Sequence, residues 1–118
     1  MRAAILVVVL AFGVALFIPE MAGSADPAKG EATYKQFCAS CHGPAGKGDG
    51  PMGARMNPKP NDLTNKPYNA SMKDDYLAKI ILEGGKAVGK SPLMPKWGDA
   101  LKGSDAADII AYIRSLAK

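Results

Sequence analysis

Histidine occurs once in this 118-residue chain and cysteine only twice. Three such residues cannot furnish the four ligands of a structural zinc site, and no second cluster exists to complete one. Strand-like alternation is absent, and so is any internal repeat, so nothing argues for a sheet or a solenoid. The formal net charge of +4 is spread thinly. No arginine-rich or aromatic-interleaved stretch accompanies it, which argues against a nucleic-acid partner. No block of like charge is long enough to make a disordered tail. The one long apolar run, residues 3–18, has 16 residues, short of the roughly 20 that a membrane-spanning helix needs.

That run follows Arg2, is broken by Pro19 and Glu20, and gives way to Met-Ala-Gly-Ser-Ala ending at Ala25. A charged start, an apolar middle and small residues at the end describe a secretory signal, with a cut expected before Asp26. An uncleaved membrane anchor is the alternative, and membrane contact is expected only in that case. The chain therefore divides into a signal segment, 1–25, and one domain, 26–118. The domain keeps a net charge of +4 because Arg2 and Glu20 leave together.

Within the domain the pattern predicts three helices and two Pro/Gly-rich loops. Asp26 to Phe37 reads as the first helix, with Pro27 in its first turn. Gly30 lies one turn before Tyr34, where a glycine implies close approach of another backbone. Five glycines and five prolines between Gly43 and Ala70 exclude a regular helix. So long a loop in a small domain points to a bound group for it to wrap. Ser71-Met-Lys-Asp74 has the form of a capping box opening a second helix. Leu77, Ile80 and Ile81 mark one face of that helix, and Gly84-Gly85 ends it. A second loop runs from Lys86 to Gly103. Ser104 is the expected cap of the last helix, whose apolar stripe is Ile109, Tyr112, Ile113 and Leu116.

Both cysteines and the histidine fall in Cys38-Ala-Ser-Cys41-His42. A thioredoxin-like dithiol requires strand–helix–strand context, which is missing. A disulfide would leave His42 and the long loops unexplained. Covalent haem attachment accounts for all three residues: the thiols add to the two porphyrin vinyl groups, and the adjacent imidazole coordinates iron. A large flat apolar group would also enlarge a modest core.

With these residues the chain resembles the class I c-type cytochromes, of the small bacterial periplasmic monohaem kind. The resemblance rests on Gly30, Tyr34, Cys38-x-x-Cys41-His42, the Gly-Asp-Gly-Pro stretch ending at Pro51, the Met94-Pro95 loop and Tyr112. It implies an all-α cytochrome c fold around one covalent haem c, a crossing of the first and last helices, and attachment outside the cytoplasm. Residues 52–65 depart from the common pattern and name no subgroup.

One histidine excludes bis-histidine ligation within the chain. Of Met52, Met56, Met72 and Met94, Met94 is the expected second iron ligand. Pro92 and Pro95 hold its loop in a non-helical path, and the resemblance implies an axial thioether there. Met56, 14 residues past His42, has the reach to compete. Pro51 is expected to offer its carbonyl to the His42 ring N–H, with Pro44 and Pro58 as competitors and an ordinary turn proline as the other reading. Trp97, Tyr68 and Asn69 each read either as polar contacts to the haem or as core packing. Lys47, Lys86, Lys90 and Lys96 read either as a ring that steers an acidic redox partner or as ordinary solvated surface. The function expected is periplasmic single-electron transfer, with no enzymatic activity of its own. The alternatives are a haem-based sensor or peroxidase-like protein with a displaceable sixth ligand, and a subunit of a larger oxidoreductase complex.

Overall fold

The computed structural model describes residues 24–118. The expected signal segment lies outside the described residues except for Ser24 and Ala25. Five helices follow in order: α1 Pro27–Phe37, α2 Ala39–His42, α3 Lys66–Ser71, α4 Asp74–Glu83 and α5 Asp105–Ser115. Single 3-10 turns lie at Gly53–Arg55 and Gly85–Val88, and no strand occurs among the described residues. The three longest helices are the three expected from the sequence.

Asp26 opens α1, its Oδ1 accepting from the backbone N–H groups of Ala28 (2.9 Å) and Lys29 (3.4 Å). This satisfies two of the donors that a helix start leaves unpaired. The buried residues of α1 are Gly30 and Tyr34, one turn apart. They meet α5 in the most extensive helix contact of the fold. A Cβ on Gly30 would lie 1.8 Å from the carbonyl oxygen of Asp108, so only glycine permits this crossing. The rings of Tyr34 and Tyr112 pack at 5.0 Å and 60°, a tilted aromatic pair. Ile109 beside them is fully buried. The crossing inferred from the sequence is thus present, atom against atom.

α4 buries Leu77 and Ile81 and stops at Gly84, whose φ of +87° disfavours any other residue. Two expectations about caps are not met. Ser71 closes α3 rather than opening α4: its Oγ donates to the Tyr68 carbonyl at 2.6 Å, and Lys73 occupies the cap position of α4. Asp74 is too short to complete the reciprocal box, so nothing held Ser71 at the α4 start. Ser104 stands at the N-cap of α5 but makes no capping bond; its Oγ donates instead to Asp108 Oδ2 at 3.0 Å. α3 itself was unexpected. Asn65 caps it through Oδ1, which accepts from the Tyr68 N–H at 2.9 Å, and Pro67 sits in its first turn. That Asn-Lys-Pro sequence is a legible helix start which the surrounding prolines and glycines obscured.

Candidate functional site

The two loops and the helices enclose an apolar cavity of about 390 Å³, within the usual range for small-molecule sites. Cys38, Cys41 and His42 form part of its wall. Leu63, Leu77, Ile81, Ile109 and Ile113 bring the core up to it, and Trp97 completes a tilted aromatic pair with Phe37 at 5.3 Å.

α2 holds the cysteine pair and the histidine in one short turn. The glycine-rich loop locks that turn from outside. Gly48 N–H donates to the His42 carbonyl (2.7 Å), Gly50 N–H to that of Cys41 (3.3 Å), and Met52 N–H to that of Ser40 (2.9 Å). Gly53 lies so close that a Cβ would fall 1.9 Å from the Cys41 carbonyl oxygen. From the other side, Tyr34 donates its hydroxyl to the Gly43 carbonyl at 2.7 Å, and burial holds that hydroxyl protonated by raising its pKa. The crossing helix thus anchors the loop that carries the site.

Both thiols are free, so they are not joined to each other. Burial, with Cys41 nearby, pushes the Cys38 thiol up to about 12. Burial lowers the His42 pKa, which keeps the imidazole neutral at pH 7, the form that coordinates metals. His42 Nδ1 is buried and has no hydrogen-bond partner. The bond expected from the Pro51 carbonyl is therefore not made. Among the described residues no group of three or more His, Cys, Asp or Glu is placed to hold a metal ion. Two free thiols one helical turn apart, a neutral imidazole with an unpartnered nitrogen, and a largely apolar cavity beside them fit a haem attached through Cys38 and Cys41.

Met94 reaches the cavity from the second loop. Its carbonyl accepts from the Gly85 N–H at 3.0 Å and its N–H donates to Ser91 at 3.3 Å, while Trp97 N–H donates to Ile81 at 3.0 Å. The loop is therefore clipped to the end of α4. Met52, Met56 and Met72 line the same cavity. Met72 is a buried core residue and Met52 is more than half exposed. Tyr68 also lines it, its hydroxyl accepting from Asn61 Nδ2 at 2.9 Å. Asn69 does not: its Nδ2 donates to the Leu63 and Ile113 carbonyls, 2.9 Å each, which makes it an internal strut. Of the four lysines singled out in the sequence only Lys90 lines the cavity; Lys59, overlooked there, does so too. Lys96 is drawn toward Asp99 at 3.8 Å.

Residues 25–113 match the family model described as cytochrome c oxidase, cbb3-type, subunit III. The chain is 34% identical over 91 residues to the cbb3-type cytochrome c oxidase subunit FixP of Bradyrhizobium diazoefficiens, which covers 77% of this chain and 28% of that protein. It is 29% identical over 98 residues to the thiosulfate dehydrogenase of Stutzerimonas stutzeri, covering 83% of this chain and 30% of that one. The chain thus spans less than a third of the length of these curated relatives. Among solved structures, the KustC0563 c-type cytochrome superposes with a TM-score of 0.58 at 21% identity, covering 75% of this chain and 98% of that one. A chain of the Kuenenia stuttgartiensis reducing HAO-like protein complex Kustc0457/Kustc0458 does so at 0.59 and 27%, covering 75% and 41%. The chain belongs to the family of cbb3-type cytochrome c oxidase subunit III domains, and is a small all-α c-type cytochrome that binds haem c covalently and transfers electrons through it.

Proposed function

We propose that this protein is a periplasmic single-electron carrier in which Cys38 and Cys41 hold the haem covalently and His42 and Met94 are the iron ligands. The observation that carries this reading is that α2 and the Met94 loop are both walls of one apolar cavity. When bound, the group supplies a one-electron iron couple, with a potential raised by histidine–methionine ligation. The chain's own residues position and shield. The buried aliphatic wall excludes water, His42 is held neutral, and the hydrogen bonds to Gly85 and Ser91 hold the Met94 backbone in place. The chain is read as a carrier rather than as an enzyme in its own right, because a c-type haem held in this way supplies one-electron chemistry.

Residues 1–25 are proposed to direct export and to be removed before Asp26. Lys59 and Lys90 at the cavity suit an acidic redox partner, since charge complementarity mainly speeds encounter. A subunit role is also favoured by an observation: both curated relatives are about three times longer, and one is named as an oxidase subunit. Such a partnership would appear as stoichiometric co-purification.

The ligand assignment is tested by Met94→Ala against Met56→Ala. Met94→Ala is expected to keep covalent haem, to bind carbon monoxide when reduced, and to show a lower potential, because soft sulfur favours ferrous iron. Met56→Ala should behave as wild type. The reverse pattern would move the ligand to Met56. Wild type that binds carbon monoxide readily would favour the sensor or peroxidase-like class.

A further inference from the structure

Asp108 is the one buried carboxylate among the described residues, 4% exposed. It takes no part in lining the cavity. A buried charge is costly unless it is paired and hydrogen-bonded. Its two oxygens have one donor each: Ser104 Oγ gives to Oδ2 at 3.0 Å, and the backbone nitrogen of Asp26 gives to Oδ1 at 2.8 Å. Neither donor is charged while Asp26 is an internal residue. Asp26 is also the first residue after the expected cut.

We propose that Asp108 is a receptor for the α-ammonium group of Asp26, so that removal of the leader turns a neutral backbone hydrogen bond into a half-buried ion pair that fastens α1 to α5. The inference rests on the reading that residues 1–25 are removed. Hydrolysis of the Ala25–Asp26 bond by a leader-cleaving peptidase consumes one water. It leaves a carboxylate on Ala25 and an amine on Asp26, which takes up a proton at pH 7, since α-amino groups titrate near 7.7–8.0. Charge-assisted bonds are about twice as strong as neutral ones. The carboxylate also lies in the first turn of α5, where the helix field favours negative charge.

The geometry requires the amine to sit on Asp26 itself. Asp26 is held from three sides: its side chain caps α1, its carbonyl accepts from Gly30 N–H at 3.0 Å, and its nitrogen meets Asp108. Gly30 in turn lies against the Asp108 backbone. An extra residue would carry the ammonium about 3.8 Å along the chain and leave an amide facing Asp108. The pair therefore joins the helices where their backbones are already closest.

The test uses haem-loaded protein from the periplasm, with intact mass to read the N-terminus. Wild type is compared with a chain carrying one alanine inserted between Ala25 and Asp26, each with and without Asp108→Asn. The inserted chain is expected to melt roughly 5 °C or more below wild type, and Asp108→Asn to lower the midpoint more in wild type than in the inserted chain. Haem spectra should coincide in all four. Equal midpoints for wild type and the inserted chain, or equal responses to Asp108→Asn, would overturn the ion pair while leaving processing intact. A wild-type mature chain that does not begin at Asp26 would overturn both. Should Asp108→Asn fail to fold, wild type against the inserted chain decides alone.

Discussion

The two halves of this cytochrome are built on opposite principles. Where α1 crosses α5 the backbones touch, Tyr34 and Ile109 are sealed from solvent, and there is no room for one added carbon on Gly30. Where the loops meet α2 and α4 there is a hole of about 390 Å³. The first half completes itself from its own side chains. The second arranges backbone around a volume that the polypeptide does not fill. A wall this apolar is costly to leave against water, so the loop half is expected to depend on a bound haem more than the crossing does.

The sharpest way to break this contrast is to remove attachment. Cys38→Ala with Cys41→Ala is expected to abolish haem staining on denaturing gels and to leave no cooperative melt of the domain at 37 °C or above. A double variant that melts like wild type would mean that the loops hold themselves up. Gly30→Val attacks the other half. Its branched side chain has no space, and the clash is with backbone, which does not swing aside. The expected cost is about 3 kcal/mol or more, or roughly 12 °C or more in the midpoint of the holo protein. Attachment through Cys38 and Cys41 should persist in whatever folds.

Tyr34→Phe tests the joint between the halves. The ring would still pack on Tyr112, but the Gly43 carbonyl would lose its 2.7 Å donor. A loss of about 1–2 kcal/mol is expected, seen as a lower midpoint in thermal melts and as faster hydrogen exchange around Gly43. The smallest effect should come from Lys35→Ala. It breaks the 2.6 Å pair with Glu31 on the exposed side of α1, and surface pairs of this kind contribute little. Its midpoint should match wild type within measurement scatter.

Much of the crossing was legible before any coordinates. Gly30 and Tyr34 share a helical face, and Tyr112 falls on the matching stripe of α5, because both helices obey one short period. The cysteine–histidine cluster was legible because its three side chains fall in one turn. The cap assignments failed at Ser71 and Ser104 for one reason: a serine hydroxyl takes the nearest strong partner. In the fold those partners are the Tyr68 carbonyl and the Asp108 carboxylate. The His42–Pro51 bond was expected because a ligating imidazole usually gives its other N–H to a carbonyl, and the structure leaves His42 Nδ1 without a partner.

By itself, the order of residues determined an all-α domain, the bounds of α1, the stop of α4 at Gly84, and the placing of two thiols beside an imidazole. These are consequences of backbone sterics and of side chains at most a few positions apart. Only the tertiary structure decided that Met52, Met56, Met72 and Met94 share one cavity wall, that Asn69 braces Leu63 to Ile113, and that Arg114 ties the end of α3 to Asp74. It alone brought Asp108 to the start of α1, 82 positions away. Such contacts join residues far apart in the chain, and they are set by which surfaces are buried together rather than by any local preference.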